Sequence, residues 1–179
     1  MSLSLIHILT DNQEVLSYIL EKAKQAKADV YPVASITTGM NGEQLSDFKA
    51  LKAAGAVAFS DDGKPVKNAA MMQQAMVECA RIGALIASHC EDMDIIDGGI
   101  INKGAVSEKL GVKGMDRSSE DSITAREIAL AQATDTAIHI CHVSTRGSLN
   151  FIRSAKQWGV KVTCETAPHY MLLTEEKLL

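Results

Sequence analysis

The chain is 179 residues long, 46% hydrophobic and 22% charged, with a formal net charge of −4. That length and composition suit one globular domain with a substantial core, and an acidic balance without a basic run excludes the electrostatic footprint of a nucleic-acid binder. No window reaches the about 18 uninterrupted apolar residues of a membrane span, and the N-terminus lacks the marks of a secretory signal, so a cytoplasmic protein is expected.

Residues 12–27, NQEVLSYILEKAKQAK, bring Val15, Ile19, Leu20 and Ala23 to helical spacing, with lysines near the end that the helix dipole favours. ADVYPVASI, 28–36, reads as extended, and a helix is predicted over 43–54 with Gly55 as its stop. AVAFS, 56–60, is a short apolar strand that runs into Asp61, Asp62 and Gly63. Asp-Gly is ordinary punctuation for leaving a strand, and that is the plain structural reading of the two carboxylates. Asn68 to Ile82 is helical with Gly83 as its stop, and ALIASH, 84–89, is the next strand. The section 90–117 holds Gly98, Gly99, Gly104, Gly111 and Gly114 and is predicted to be a loop excursion. SSEDSITAREIALAQAT, 118–134, opens on serines and acids and then turns apolar, a helix with its N-terminal signals in place. AIHICHVS, 137–144, is a strand, SLNFIRSAKQWG, 148–159, a helix ending at Gly159, and VKVTCETAP, 160–168, a strand ending at Pro168. LTEEKLL, 173–179, begins a further element.

Alternating short apolar strands and helices describe a parallel sheet covered by helices, either a barrel or a doubly wound sheet. No GxGxxG or GxxxxGK[ST] loop follows a strand, which favours the barrel. In such folds chemistry collects at the carboxyl ends of the strands. Three successive strands end there on coordinating side chains: Asp61 or Asp62, then His89, then His142. One such histidine alone is more often a satisfied core residue, whereas three in register at one rim suit a catalytic zinc, manganese or iron with an open position for water. His139, three residues before His142, should face the other side of its strand and is given a structural role. His169 either lines the same rim or packs its own loop. Cys79, Cys90, Cys141 and Cys164 form no CxxC pair and read as small buried hydrophobes.

FSDDG, SHCED, CHVST, ETAPHY and LLTEE, in this order and spacing, together with TTGMNGEQLSDFKALKAAGAVAFSDDG, resemble the bacterial dihydroorotases of the amidohydrolase superfamily, from about Thr10 to Leu179. The resemblance implies an α/β fold, a (β/α)8 TIM barrel of the metal-dependent hydrolase type, with a binuclear zinc centre. It also implies reversible cyclisation of N-carbamoyl-L-aspartate to (S)-dihydroorotate in pyrimidine synthesis, with metal-activated water as the nucleophile. Carried over by position, the ligands are Asp62, where the better-known branch of the superfamily has a carboxylated lysine, with His89 and His142 from the next two strands. Asp61 becomes the turn-forming neighbour, although a slip of one residue in register would exchange the two.

The pattern of that family is incomplete in this chain. Its first strand supplies an H-x-H pair and its last strand a proton-shuttling aspartate, and neither motif is present; Tyr170 stands where a second histidine is usual. A complete barrel takes about 250 residues, so a partial barrel lacking the first and last strands is expected over residues 10–179, inactive by itself. LSLIHI, residues 3–8, reads as the in-frame translation of a sequencing adapter, which sets residues 1–9 apart as non-native or disordered; a native edge strand is the alternative. Two further functional readings are a non-catalytic subunit that scaffolds aspartate carbamoyltransferase, and a sister cyclic amidohydrolase such as an allantoinase or dihydropyrimidinase. A homodimer is compatible with each.

Overall fold

The computed structural model describes residues 9–179; the expectation for the N-terminal segment falls almost wholly outside the described residues. Helix α1 (Gln13–Ala23) starts where Asn12 accepts a hydrogen bond from the Val15 N–H, and it buries Leu16 against the core. Strand β1 (Val33–Ala34) follows. Helix α2 (Phe48–Ala54) is shorter than the predicted 43–54, because Asp47 caps Ala50 and the residues before it are held in extended backbone. Leu45 bridges to Thr37 and the Ser46 N–H donates to Ile36 O, pairing that outcompetes a first helical turn.

Strand β2 (Ala58–Phe59), helix α3 (Ala69–Ile82), strand β3 (Leu85–Ser88), helix α6 (Ser118–Thr134), strand β6 (Ile138–Ile140), helix α7 (Arg146–Gln157) and strand β7 (Val162–Cys164) follow the expected alternation. Gly55 and Gly83 end α2 and α3 in the left-handed region, as the sequence predicts. Between β3 and α6 the expected loop is instead ordered into α4 (Met93–Ile96), β4 (Ile101–Asn102), α5 (Ala105–Leu110) and β5 (Gly114–Met115), with β4 and β5 paired in parallel. Each piece is too short to impose a hydrophobic period, which is why its glycines read as loop punctuation. Beyond β7 come α8 (Pro168–Leu172) and a 3-10 turn, Glu175–Leu178.

The main sheet has the order β1-β2-β3-β6-β7, and every pair is parallel. A doubly wound sheet reverses its strand order at a switch point. This sheet adds each strand beside its predecessor without reversal, the winding of a partial (β/α)8 barrel. Ala34, Phe59, Ile86, Ile138 and Val162 form one cross-sheet row by register. All are buried, and they join Leu51, Met72, Met76, Ile128 and Ile152 of the helices in one core. Fully burying a side chain such as Phe59 or Ile138 contributes about 1.5–3 kcal/mol. The alternate row, Ala87, His139 and Thr163, lies on the opposite face, which lines the barrel interior. Among the described residues no helix is long and apolar enough to cross a membrane.

Candidate metal centre

The carboxyl ends of β2, β3 and β6 are adjacent because those strands are neighbours in the sheet. Asp61 and Asp62 leave β2 in opposite directions. Asp61 is 3% exposed and accepts hydrogen bonds from the Ile36 N–H at 2.7 Å, the Thr37 N–H at 3.2 Å and the Thr37 hydroxyl. Burial pushes its carboxyl above the ordinary value, against the lowering effect of the bonds from Thr37 and Ile36. It ties the end of β2 to the end of β1 and is not among the converging donors at the rim. The Asp62 side chain is 65% exposed, and its Oδ1 lies 2.9 Å from His89 Nδ1 and 3.6 Å from His142 Nε2.

His89 directly follows β3 and continues its alternation, so it points to the barrel side while Cys90 turns into the core. Its Nε2 lies 2.9 Å from Glu91 Oε2, which leaves Nδ1 to face the centre. His142 reaches the same point by a different route. Strict alternation along β6 would send it to the helix side with Ile138 and Ile140, but its φ is +36°, and that left-handed turn swings the ring back to the rim. His142 Nε2 and His89 Nδ1 are then 2.8 Å apart, with ring centroids at 4.7 Å and planes at 71°.

One donor atom from each of Asp62, His89 and His142 lies within 4.8 Å of the others. Two imidazole nitrogens and a carboxylate oxygen converging from three chain segments form a donor set that fits a divalent cation, with positions left for solvent or substrate. The loop beyond His142 is anchored by α6. Glu120 accepts from the Ser144 and Thr145 N–H groups at 3.1 Å each, and Asp121 accepts from the Ser148 N–H at 2.8 Å. A Cβ on Gly147 would sit 2.4 Å from the Asp121 carboxylate, so this position admits no side chain. The acids that read as helix-start signals therefore also hold the loop that carries His142.

The structure brings together the three residues singled out as ligands, and neither His139 nor His169 belongs to that group. His139 is not part of this cluster; its Nδ1 lies 2.8 Å from Thr163 Oγ1 on the barrel face. His169 is exposed on α8 and packs against its neighbour Tyr170, ring centroids 4.3 Å apart, which answers to loop packing. Cys79 and Cys90 are buried as expected, whereas Cys141 and Cys164 are only partly covered, a correction to the uniform core reading. Burial, then Glu165 and Asp62, push the Cys141 thiol up to about 11. Glu91 was missed; its signal is the HCE spacing, which puts a carboxylate two residues from His89 on the same side.

A family model described as Dihydro-orotase-like matches residues 7–148. A protein named dihydroorotase from Geobacter metallireducens is 50% identical over 169 residues, 94% of this chain and 40% of that protein. Another of that name, from Acetivibrio thermocellus, is 49% identical over 167 residues, 93% of this chain and 39% of that one. The chain thus spans about 40% of the length of the curated relatives it matches. Among solved structures, a D-hydantoinase superposes with a TM-score of 0.71 at 19% identity, over 94% of this chain and 38% of that one. An L-hydantoinase (dihydropyrimidinase) from Arthrobacter aurescens superposes with a TM-score of 0.69 at 23% identity, over 93% and 39%. At such identity the likeness is one of fold, and it agrees with the winding of the sheet.

Proposed function

Because this chain belongs to the dihydro-orotase-like family, we propose that Asp62, His89 and His142 are metal ligands of a zinc-dependent dihydroorotase. That enzyme would interconvert N-carbamoyl-L-aspartate and (S)-dihydroorotate in pyrimidine synthesis, in the cytoplasm. The observation that carries the reading is the convergence of one carboxylate and two imidazoles at the carboxyl rim of three adjacent parallel strands. Identity near 50% to proteins named dihydroorotase supports that substrate over the hydantoins of the fold's more distant relatives.

A divalent cation held there would lower the pKa of water toward neutrality and polarise the ring carbonyl of the substrate. The chain's own residues prepare that place. Asp62 presents a hard anionic oxygen on the open side of the rim. Glu91 fixes the His89 ring through Nε2 and so keeps Nδ1 directed inward. Glu120 holds the backbone of Ser144 and Thr145, which limits how far His142 can drift. None of the five histidines is spaced H-x-H, and in the chain alone we assign this cluster one cation and no turnover.

The test is a chimaera in which residues 10–179 replace the matched segment of the Geobacter metallireducens relative. It should turn over dihydroorotate in preference to hydantoin. His142→Ala or His89→Ala in that background should lower kcat/KM by at least about a hundredfold and remove one zinc equivalent. Normal zinc content and rate in His142→Ala would overturn the assignment.

A further inference from the structure

A second set of donors lies on the interior face of β6 and β7. His139 and Cys141 are two residues apart, so strand alternation puts both side chains on the face opposite Ile138 and Ile140. Hydrogen bonds that run past the assigned strand ends set the backbone around them. The Cys141 N–H donates to Ser88 O at 3.0 Å, the Glu165 N–H to Ile140 O at 3.1 Å and the Val143 N–H to Glu165 O at 2.8 Å. Glu165 is thereby drawn across from β7, and its Oε2 lies 3.6 Å from His139 Nε2. One donor atom from each of His139, Cys141 and Glu165 lies within 4.8 Å of the others.

We propose that His139, Cys141 and Glu165 form a second site, for a thiophilic divalent cation of the zinc class, distinct from the cluster of Asp62, His89 and His142. An imidazole, a thiolate and a carboxylate leave one position of a tetrahedron for water, an open zinc geometry. The sulfur selects zinc-like ions over magnesium and calcium. Thr163 Oγ1, 2.8 Å from Nδ1, orients the imidazole so that Nε2 is the free donor, the arrangement of an outer partner supporting a ligand. On binding, the cation replaces the thiol proton, which passes to solvent. A divalent cation with one thiolate, one carboxylate and a neutral imidazole carries no net charge, which suits a half-buried position. The two clusters share no residue, and because Asp62 acts on the Cys141 thiol and Cys141 adjoins His142, the Asp62 variant below is what separates them.

Cobalt(II) titration of the metal-free 179-residue chain tests it, because a sulfur-to-cobalt charge-transfer band in the near ultraviolet requires a thiolate ligand and the first cluster contains no sulfur. The band should appear, reach its plateau by two equivalents of cobalt, one for each cluster, and bleach when zinc is added. It should persist in Asp62→Asn and in Cys164→Ser, whose thiol packs toward the helix side in register with Ile140. It should vanish in Cys141→Ser, and cobalt affinity should fall at least about tenfold in His139→Ala and Glu165→Gln. Ellipticity controls for folding, and if Cys141→Ser does not fold, the His139 and Glu165 variants decide. No band, a band that survives Cys141→Ser, unchanged affinity in both other variants, or loss of the band in folded Asp62→Asn would overturn the proposal. Failure of the chimaera above would leave the band untouched.

Discussion

Asp61 and Asp62 are chemically identical neighbours that the fold puts to opposite uses. Asp61 satisfies two buried backbone N–H groups and a hydroxyl at the end of β1, and Asp62 faces the rim. Asp61→Ala should therefore cost about 1–3 kcal/mol of unfolding free energy in urea titrations, since Ile36 and Thr37 would be left with unmet donors. Asp62→Ala should change metal-free stability by no more than about 0.5 kcal/mol while abolishing zinc binding at the first cluster. Equal losses of stability in the two variants would refute the division. The adjacent letters DD cannot reveal it, because the partner that distinguishes them is 24 or 25 residues away in the chain. His142 is similar: its place at a strand end is legible, but the left-handed φ that turns it to the rim is not.

Among the elements, α6 does the most to join fold and site. Its first turn holds the loop after β6 through Glu120 and Asp121. Further along it carries Glu127, fully buried and bonded to Arg126, whose guanidinium also donates to Val66 O and Lys67 O. Burial raises the Glu127 carboxyl above its ordinary value, outweighing the pull of Arg126. A carboxylate whose folded value lies above its unfolded one contributes full stability below the unfolded value and loses it as pH rises through the folded value. Asp61 acts with the same sign. Glu127→Gln mimics the protonated form, so its urea midpoint should fall less than that of the parent as pH rises from the ordinary carboxylate range toward neutrality. A variant that tracked the parent slope would contradict this. The helix itself is legible from 118–134, yet its buried glutamate is not, because the apolar period gives no sign that Arg126 and two carbonyls wait beside that position.

At the scale of the whole molecule the sheet is open among the described residues, with β1 and β7 at its two edges and the interior face partly uncovered. After β7 in the chain, the segment around α8 exposes a run of large apolar side chains, including Met171 at 71% and Leu172 at 79%. Exposed apolar side chains and unpaired sheet edges each favour association. The 179-residue chain should accordingly sediment as concentration-dependent oligomers, and the double substitution Met171→Lys, Leu172→Lys should shift it toward monomer. A parent chain monomeric at about 100 μM, far above the concentrations at which specific interfaces assemble, would show that this surface does not self-pair.

Local signals in the chain suffice for the main alternation of strands and helices, the parallel α/β class and the strand-end places of His89, His142 and one of the pair Asp61 and Asp62: an apolar period, a cap, a polar residue at a strand end. The remaining choices were made by contacts between distant segments. Strand order without reversal selected the barrel, long-range hydrogen bonds to β1 removed Asp61 from the site, and the pairing of β4 with β5 ordered a segment that reads as loop. The register of β6 and β7 likewise brought His139, Cys141 and Glu165 together. Each of these depends on which distant backbone comes to lie alongside, a quantity that no window of neighbouring residues contains.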